Sequence, residues 1–324
     1  MFMNIEEYVN SLSTEKHNEI IKESLSCIGD GLFHLFYNWR LSYDKKNVSE
    51  ADAISQCILQ IAVCKIRTLM SMCEGISLNP NELSTKVLDI PSMISVLRSL
   101  YELTFVFHNI YAEQDTKTER DIVLYLWKIR GLNNRQNLEN VHPQYKAKEE
   151  NEKKKIKELQ GKIFALAKEL KLPQDIISQL RNVVTSSSVD IKGYKFKKDK
   201  NSNVISFKSI RFNDGIEEFL DKSVAPIYRF LSIQGHPSYL GVLQFGQMFD
   251  KGEDIKFLKT ILACASNLAS TLAIDFRDNV TGAKCIFDAL SEREKNIIEV
   301  CYDCKKKILD KGTSANASVT DGGV

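Results

Sequence analysis

Four places in the chain hold side chains whose types and spacing could do chemistry. The first is Arg98 with Glu102, four apart and so on one helix face. They sit in an apolar stretch, where burying an ion pair is costly unless it serves a purpose. One reading is a salt bridge between helices. The other is an arginine aimed at phosphate and held by the glutamate. The second is Arg130, four after Leu126, with Asn133, Asn134 and Arg135 beyond it. That arrangement reads as a buried network or pocket rim, or as arginines complementing a helix C-terminus.

The third is the run from Tyr228 to Gly241. Tyr228 and Ser232 share a face, and Arg229 precedes His236 by two helical turns. Gly235 and Pro237 place His236 at a break between helices. A histidine there could transfer protons near neutral pH or simply cap a helix end. The fourth is 192–211, where Lys192, Lys195, Lys197, Lys198, Lys200, Lys208 and Arg211 face Asp199 alone. Tyr194, Phe196, Phe207 and Phe212 interleave with them. Cations with aromatics suit single-stranded nucleic acid, the charges for phosphates and the rings for bases. The same cations also suit an edge hairpin protected from aggregation.

The elements that must position these groups are mostly helical. Gly and Pro number 15 and 6 in 324 residues, too few for an all-β fold. Apolar positions recur at helical spacing over 15–43, 51–76, 91–111, 119–139, 214–231 and 254–276. The 91–111 segment is apolar nearly all round, as in a central helix. Lys146–Glu158 holds six Lys and four Glu and reads as a solvated helix face. A short helix follows Pro173. Tyr194–Lys197 and Val204–Lys208 flank Lys-Asn-Ser-Asn as a hairpin. Ser291 and Glu294 form a capping-box pattern before a last helix ending near Lys311.

The expected fold class is all-α, a multi-helix bundle with a charged helical and small β-hairpin insertion. The bundle's N-terminal part is 1–145, the insertion 146–212, the bundle's C-terminal part 213–311, and the tail 312–324. Five breakers, Gly235, Pro237, Gly241, Gly246 and Gly252, fall within 18 residues and mark the neighbourhood of His236 as shaped.

Net charge is +2, so a nucleic-acid surface has to be local. Cys57, Cys64 and Cys73 read as small hydrophobes in a helix. The single CxxC, Cys301 to Cys304, lacks the second pair or histidines of a zinc site, so no metal or cofactor is expected. The N-terminus has no apolar core of a signal peptide, and 257–276 reads as a buried helix. A cytoplasmic setting without a membrane partner is expected. There is no dinucleotide fingerprint, P-loop, HExxH or GxSxG.

Leu97-Arg98-Ser-Leu-Tyr-Glu102, Glu119-Arg120…Tyr125…Arg130 and Tyr228-Arg229…Ser232…His236 together resemble an uncharacterised bacterial family of all-helical domains. That family is often met near defence genes and is distantly similar to HEPN domains. The resemblance spans about 51–139 and 214–276. HEPN ribonucleases carry an Arg, four to six residues, then a His; Arg229 and His236 have that spacing. The resemblance implies metal-independent RNA cleavage in defence or toxin activity, in a homodimer with composite sites. His236 would transfer the proton and Arg229 would stabilise phosphate charge. Arg98, Glu102, Arg130, Tyr228 and Ser232 would line the site. The hairpin cations Lys195, Lys197, Lys198, Lys200, Lys208 and Arg211 would hold RNA. The alternative is a non-catalytic helical module recognising a nucleotide or a protein partner of a defence system, docked through the charged insertion.

Overall fold

A computed structural model describes residues 14–42, 48–79, 86–136, 142–185, 193–211, 231–233, 235, 238–251 and 253–303. The chain is a helical bundle with, among the described residues, two small antiparallel hairpins, and it divides into two compact units. One comprises 1–104 with 216–324, the other 105–215. The charged helices and hairpin expected over 146–212 lie inside the second unit, which also takes in the 119–136 region.

In the first unit, α1 (Thr14–Ser42) packs on α2 (Glu50–Met72) and on α8 (Asp254–Asn279). Leu25, Ile28, Leu32 and Leu35 of α1 repeat at three- and four-residue steps and are fully buried, as are Leu59, Ala62, Ile66 and Leu69 of α2. α8 buries an unbroken run from Leu268 to Phe276. Trp39 closes the end of α1. Its ring stands edge-on to Phe276, and its Nε1 donates to the Thr281 carbonyl at 2.9 Å. The unit also holds strands β1 (Ile76–Ser77) and β2 (Lys86–Val87), the start of α3 (Ile90–Tyr111), α7 (Tyr239–Lys251), α9 (Ala283–Asp288) and α10 (292–303). The capping box at α10 forms. Glu294 accepts from the Ser291 N–H at 2.9 Å, and the Glu294 N–H donates back to Ser291 Oγ at 3.3 Å. Glu294 also meets His34 Nδ1 at 2.7 Å, tying α10 to α1.

By length and composition α2, α3 and α8 are each long and apolar enough to cross a membrane. In α8, 61% of the most apolar window is buried inside the fold, so its apolar surface serves helix packing. The α2 cysteines depart from expectation. Cys57 and Cys64 are exposed, because they lie off the face that buries Ile58, Ala62, Ile66 and Leu69.

In the second unit, the end of α3 is followed by α4 (Lys117–Gln136), α5 (Lys146–Glu169), α6 (Gln174–Thr185) and the hairpin β3 (Gly193–Lys198) with β4 (Val204–Ile210). α5 lays Ile156, Leu159, Ile163 and Ala167 against α4 and turns Glu149–Lys153 and Glu158–Lys162 pairs to solvent. Arg135 of α4 grips the buried Glu152 of α5 with two nitrogens, at 2.5 and 3.0 Å. α6 covers β4 with Ile176, Leu180 and Val184, one residue per turn.

Both free edges of the hairpin are closed by side-chain amides. On β3, Asn109 Oδ1 accepts the Tyr194 N–H and Asn109 Nδ2 donates to the Tyr194 carbonyl, each at 2.9 Å. On β4, Gln179 Oε1 accepts the Phe207 N–H at 3.0 Å. Gly193 is required for the first closure. A Cβ there would fall 2.9 Å from Asn109 Cγ and Oδ1, closer than atoms pack.

Candidate functional site

Ser95, Arg98 and Glu102 follow each other at three and four residues, so they form a polar stripe along α3. Arg98 Nε donates to Glu102 Oε1 at 3.1 Å, and the two side chains are 25% and 33% exposed. The pair is therefore half-buried and reachable, not sealed in the core. Glu102 fixes one edge of the guanidinium and so sets its plane.

The break between helices is seated on this stripe. The Gly235 N–H donates to the Leu231 carbonyl at 2.9 Å, closing a turn after the helical residues 231–233. Ser95 Oγ donates within its own helix, to the Pro91 carbonyl at 3.0 Å, and lies in contact with the Gly235 carbonyl at 3.5 Å. A Cβ on Gly235 would lie 2.8 Å from the Leu231 carbonyl oxygen and 3.5 Å from Ser95 Oγ, so the turn requires glycine. Ser238 anchors the far side. Its Oγ donates to the Ile233 carbonyl and accepts the Gly241 N–H of α7, both at 3.0 Å. Ser232 lies half-buried on the preceding turn. Tyr228, Arg229, His236 and Pro237 fall outside the described residues.

Arg130 lies elsewhere, in the second unit, and only 9% of its surface is exposed. It is hydrogen-bonded to the Tyr194 phenol. Burial pushes the Tyr194 hydroxyl above its ordinary pKa, and Arg130 draws it partly back. The structure thus pairs Arg130 with the base of the hairpin, within 105–215, whereas Arg98 and Glu102 belong to the first unit.

The hairpin cations separate into two sets. Lys195 Nζ meets Glu113 at 2.5 Å, while Lys198 Nζ meets Asp115 at 2.7 Å and Glu119 at 2.8 Å. Burial alone would lower the Lys198 pKa, but these two carboxylates raise it. Lys197, Lys200, Lys208 and Arg211 are exposed. Lys192 and Phe212 fall outside the described residues, and the other three rings do not point to solvent for stacking on bases. Tyr194, Phe196 and Phe207 are at least nine-tenths buried, with Tyr194 parallel to Phe207 at 5.9 Å. Strand alternation puts them on the inner face, under α6, so a nucleic acid would meet charge there and not these rings.

Glu113 makes this cluster sensitive to acid. Burial pushes its carboxyl up, but bonds from His108 and Lys195 outweigh that and hold it below the usual 4.5. A carboxylate with a lowered folded pKa adds stability above its unfolded pKa and loses it as pH falls through the folded one. Thermal midpoints should therefore drop as pH falls from about 5 to about 3, and Glu113→Gln should flatten that slope. Equal slopes for native and variant chains would refute the role of this carboxylate.

A feature that the sequence reading missed is a cavity of about 410 Å³ at the C-terminal end of α1, lined by Trp39, Arg40, Val48, Gln56, Cys57 and Gln60. Its lining comes from the end of α1, from Val48 and from the first half of α2, so no spacing within one element announces it. Among the described residues no cluster of three or more His, Cys, Asp or Glu side chains is placed to hold a metal ion. Set against known families, curated proteins and solved structures, the chain matches no family model, no curated protein and no solved structure.

Proposed function

We propose that the chain is a HEPN-like, metal-independent endoribonuclease of bacterial defence or toxin activity, acting in the cytoplasm as a homodimer. The observation that carries this reading is the seating of Gly235 on Ser95. It sets the residue before His236 against the α3 stripe that holds Arg98 and Glu102. Phosphodiester cleavage calls for a proton-transfer group and a cation that offsets phosphate charge, the roles this reading gives to a histidine and an arginine. In this reading His236 and Arg229 are catalytic, and Arg98, positioned by Glu102, adds a second cation. Tyr228 and Ser232 complete the lining. The exposed Lys197, Lys200, Lys208 and Arg211 supply charge for RNA.

The test is incubation of the purified chain with RNA in chelator, beside His236→Ala and Arg98→Ala. The expected result is cleavage by the native chain, none by His236→Ala, and a loss of about tenfold or more for Arg98→Ala. No cleavage by the native chain, or equal cleavage by His236→Ala, would sink the reading.

One observation favours a second reading, a non-catalytic module that recognises a protein partner. On α7, Tyr239, Leu240, Val242 and Leu243 are exposed by 79%, 54%, 64% and 43%, an apolar row facing solvent. A chain that captures RNA or protein without cleaving RNA would fit this reading instead.

A further inference from the structure

We infer that the second unit holds a small-anion site built on Arg130, separate from the α3 stripe and independent of the ribonuclease reading. Arg130 is nine-tenths buried, and among the described residues no carboxylate pairs with it. Arginine does not shed its proton in a protein, so its charge cannot be removed by titration. A buried charge of this kind calls for a counter-charge.

What surrounds it defines the ligand. Arg130 lines a cavity of about 10 Å³ with Asn133 and Tyr194, walled by Leu126, Ile129, Val183 and Val184. Arg130 offers only donors. The Tyr194 hydroxyl accepts from Arg130 and so has its own hydrogen left to donate. Asn133 can turn its NH₂ inward. Donors converging on an apolar-walled space, with a fixed positive charge, select an acceptor carrying negative charge. The volume is that of about one water-sized atom. The site therefore takes one oxygen of an oxyanion such as phosphate whose other oxygens stay outside, or a halide seated at its mouth. A water could fill the space and accept the bonds, but it would not balance the charge.

Thermal unfolding of the full chain tests this, at constant ionic strength, with gluconate replaced stepwise by chloride or by inorganic phosphate. The midpoint should rise saturably with the replacing anion. Phosphate acting at lower concentration than chloride assigns an oxyanion oxygen to the cavity, and the reverse order assigns a halide. Arg130→Met should abolish the rise. Arg130→Lys, which keeps the charge but loses the planar fork, should raise the half-saturating concentration about tenfold. If Arg130→Met does not fold, Arg130→Lys carries the comparison. A midpoint equal in all three salts, or a rise that persists unchanged in the folded variants, would overturn the assignment.

Discussion

Asn109→Ala is expected to destabilise the 105–215 unit by about 2–4 kcal/mol. The side chain makes both hydrogen bonds of one strand residue, accepting from the Tyr194 N–H and donating to its carbonyl at 2.9 Å each. In the variant the buried N–H loses the acceptor that Asn109 provides. The carbonyl keeps only the longer bond from Gln114 Nε2, at 3.3 Å. An unsatisfied buried donor costs about 1–3 kcal/mol, and weakening the second bond adds to it. Asn109→Asp tests the donor separately, since it keeps an acceptor for the N–H and offers nothing to the carbonyl.

The chain's two tryptophans divide the readout. Trp127 lies in this unit and Trp39 in the other, so urea unfolding followed in a Trp39→Phe background reports on the hairpin's unit. Gly193→Ala should cost stability for the same reason, because its Cβ intrudes on the Asn109 amide. Combined with Asn109→Ala, its cost should shrink markedly, since the obstructed group is gone. An unchanged midpoint for Asn109→Ala, or strictly additive costs, would show that the clamp is not what holds the edge.

The sequence made the helices legible because their burial is local and periodic. Leu25, Ile28, Leu32 and Leu35 repeat at helical steps, and all are buried. Ser291 and Glu294 announce their cap within four residues, and the cap forms. The pair β1–β2 escaped notice because two-residue strands have no alternation to read. The hairpin at 193–210 was visible by its alternation, but its electrostatics were not. The count of seven cations against Asp199 omits Glu113, Asp115 and Glu119, which stand about eighty positions earlier in the chain. Local charge arithmetic cannot see partners that only folding delivers.

The candidate site divides in the same way. The concentration of glycine and proline around His236 signalled a shaped turn, and the Gly235 turn is real. Its seat on Ser95, 140 residues away, is tertiary and left no mark on the spacing. Arg130 was readable as the end of an apolar face. Its partner Tyr194 was not, because the hairpin that supplies it is remote in sequence.

Glu119→Ala is the second large effect, about 2–3 kcal/mol, because one carboxylate serves two structures. It is the third helical residue of α4, and it accepts the Thr116 N–H at 3.2 Å while its own N–H donates to Thr116 Oγ1 at 3.2 Å. That capping box is worth about 1 kcal/mol. The same carboxylate, 2% exposed, accepts from Lys198 Nζ and so pins the end of β3 to the start of α4. Removing it leaves an ammonium that is 17% exposed, with Asp115 at 2.7 Å as its remaining carboxylate among these contacts, which keeps the loss below that of a fully orphaned charge. Glu119→Gln should cost less, since its amide oxygen can still accept from the Thr116 N–H.

The pH profile separates the two roles. The Lys198 pKa is raised on folding, so its pairing stabilises below the unfolded pKa, and that contribution is lost as pH rises through the folded one. The native chain should therefore lose stability above about pH 10.5, while Glu119→Gln and Glu119→Ala lose less over the same range. If both variants retain the native alkaline slope, Glu119 acts only as a cap. If Glu119→Gln is as destabilised as Glu119→Ala, the charge on Lys198 dominates and the cap contributes little.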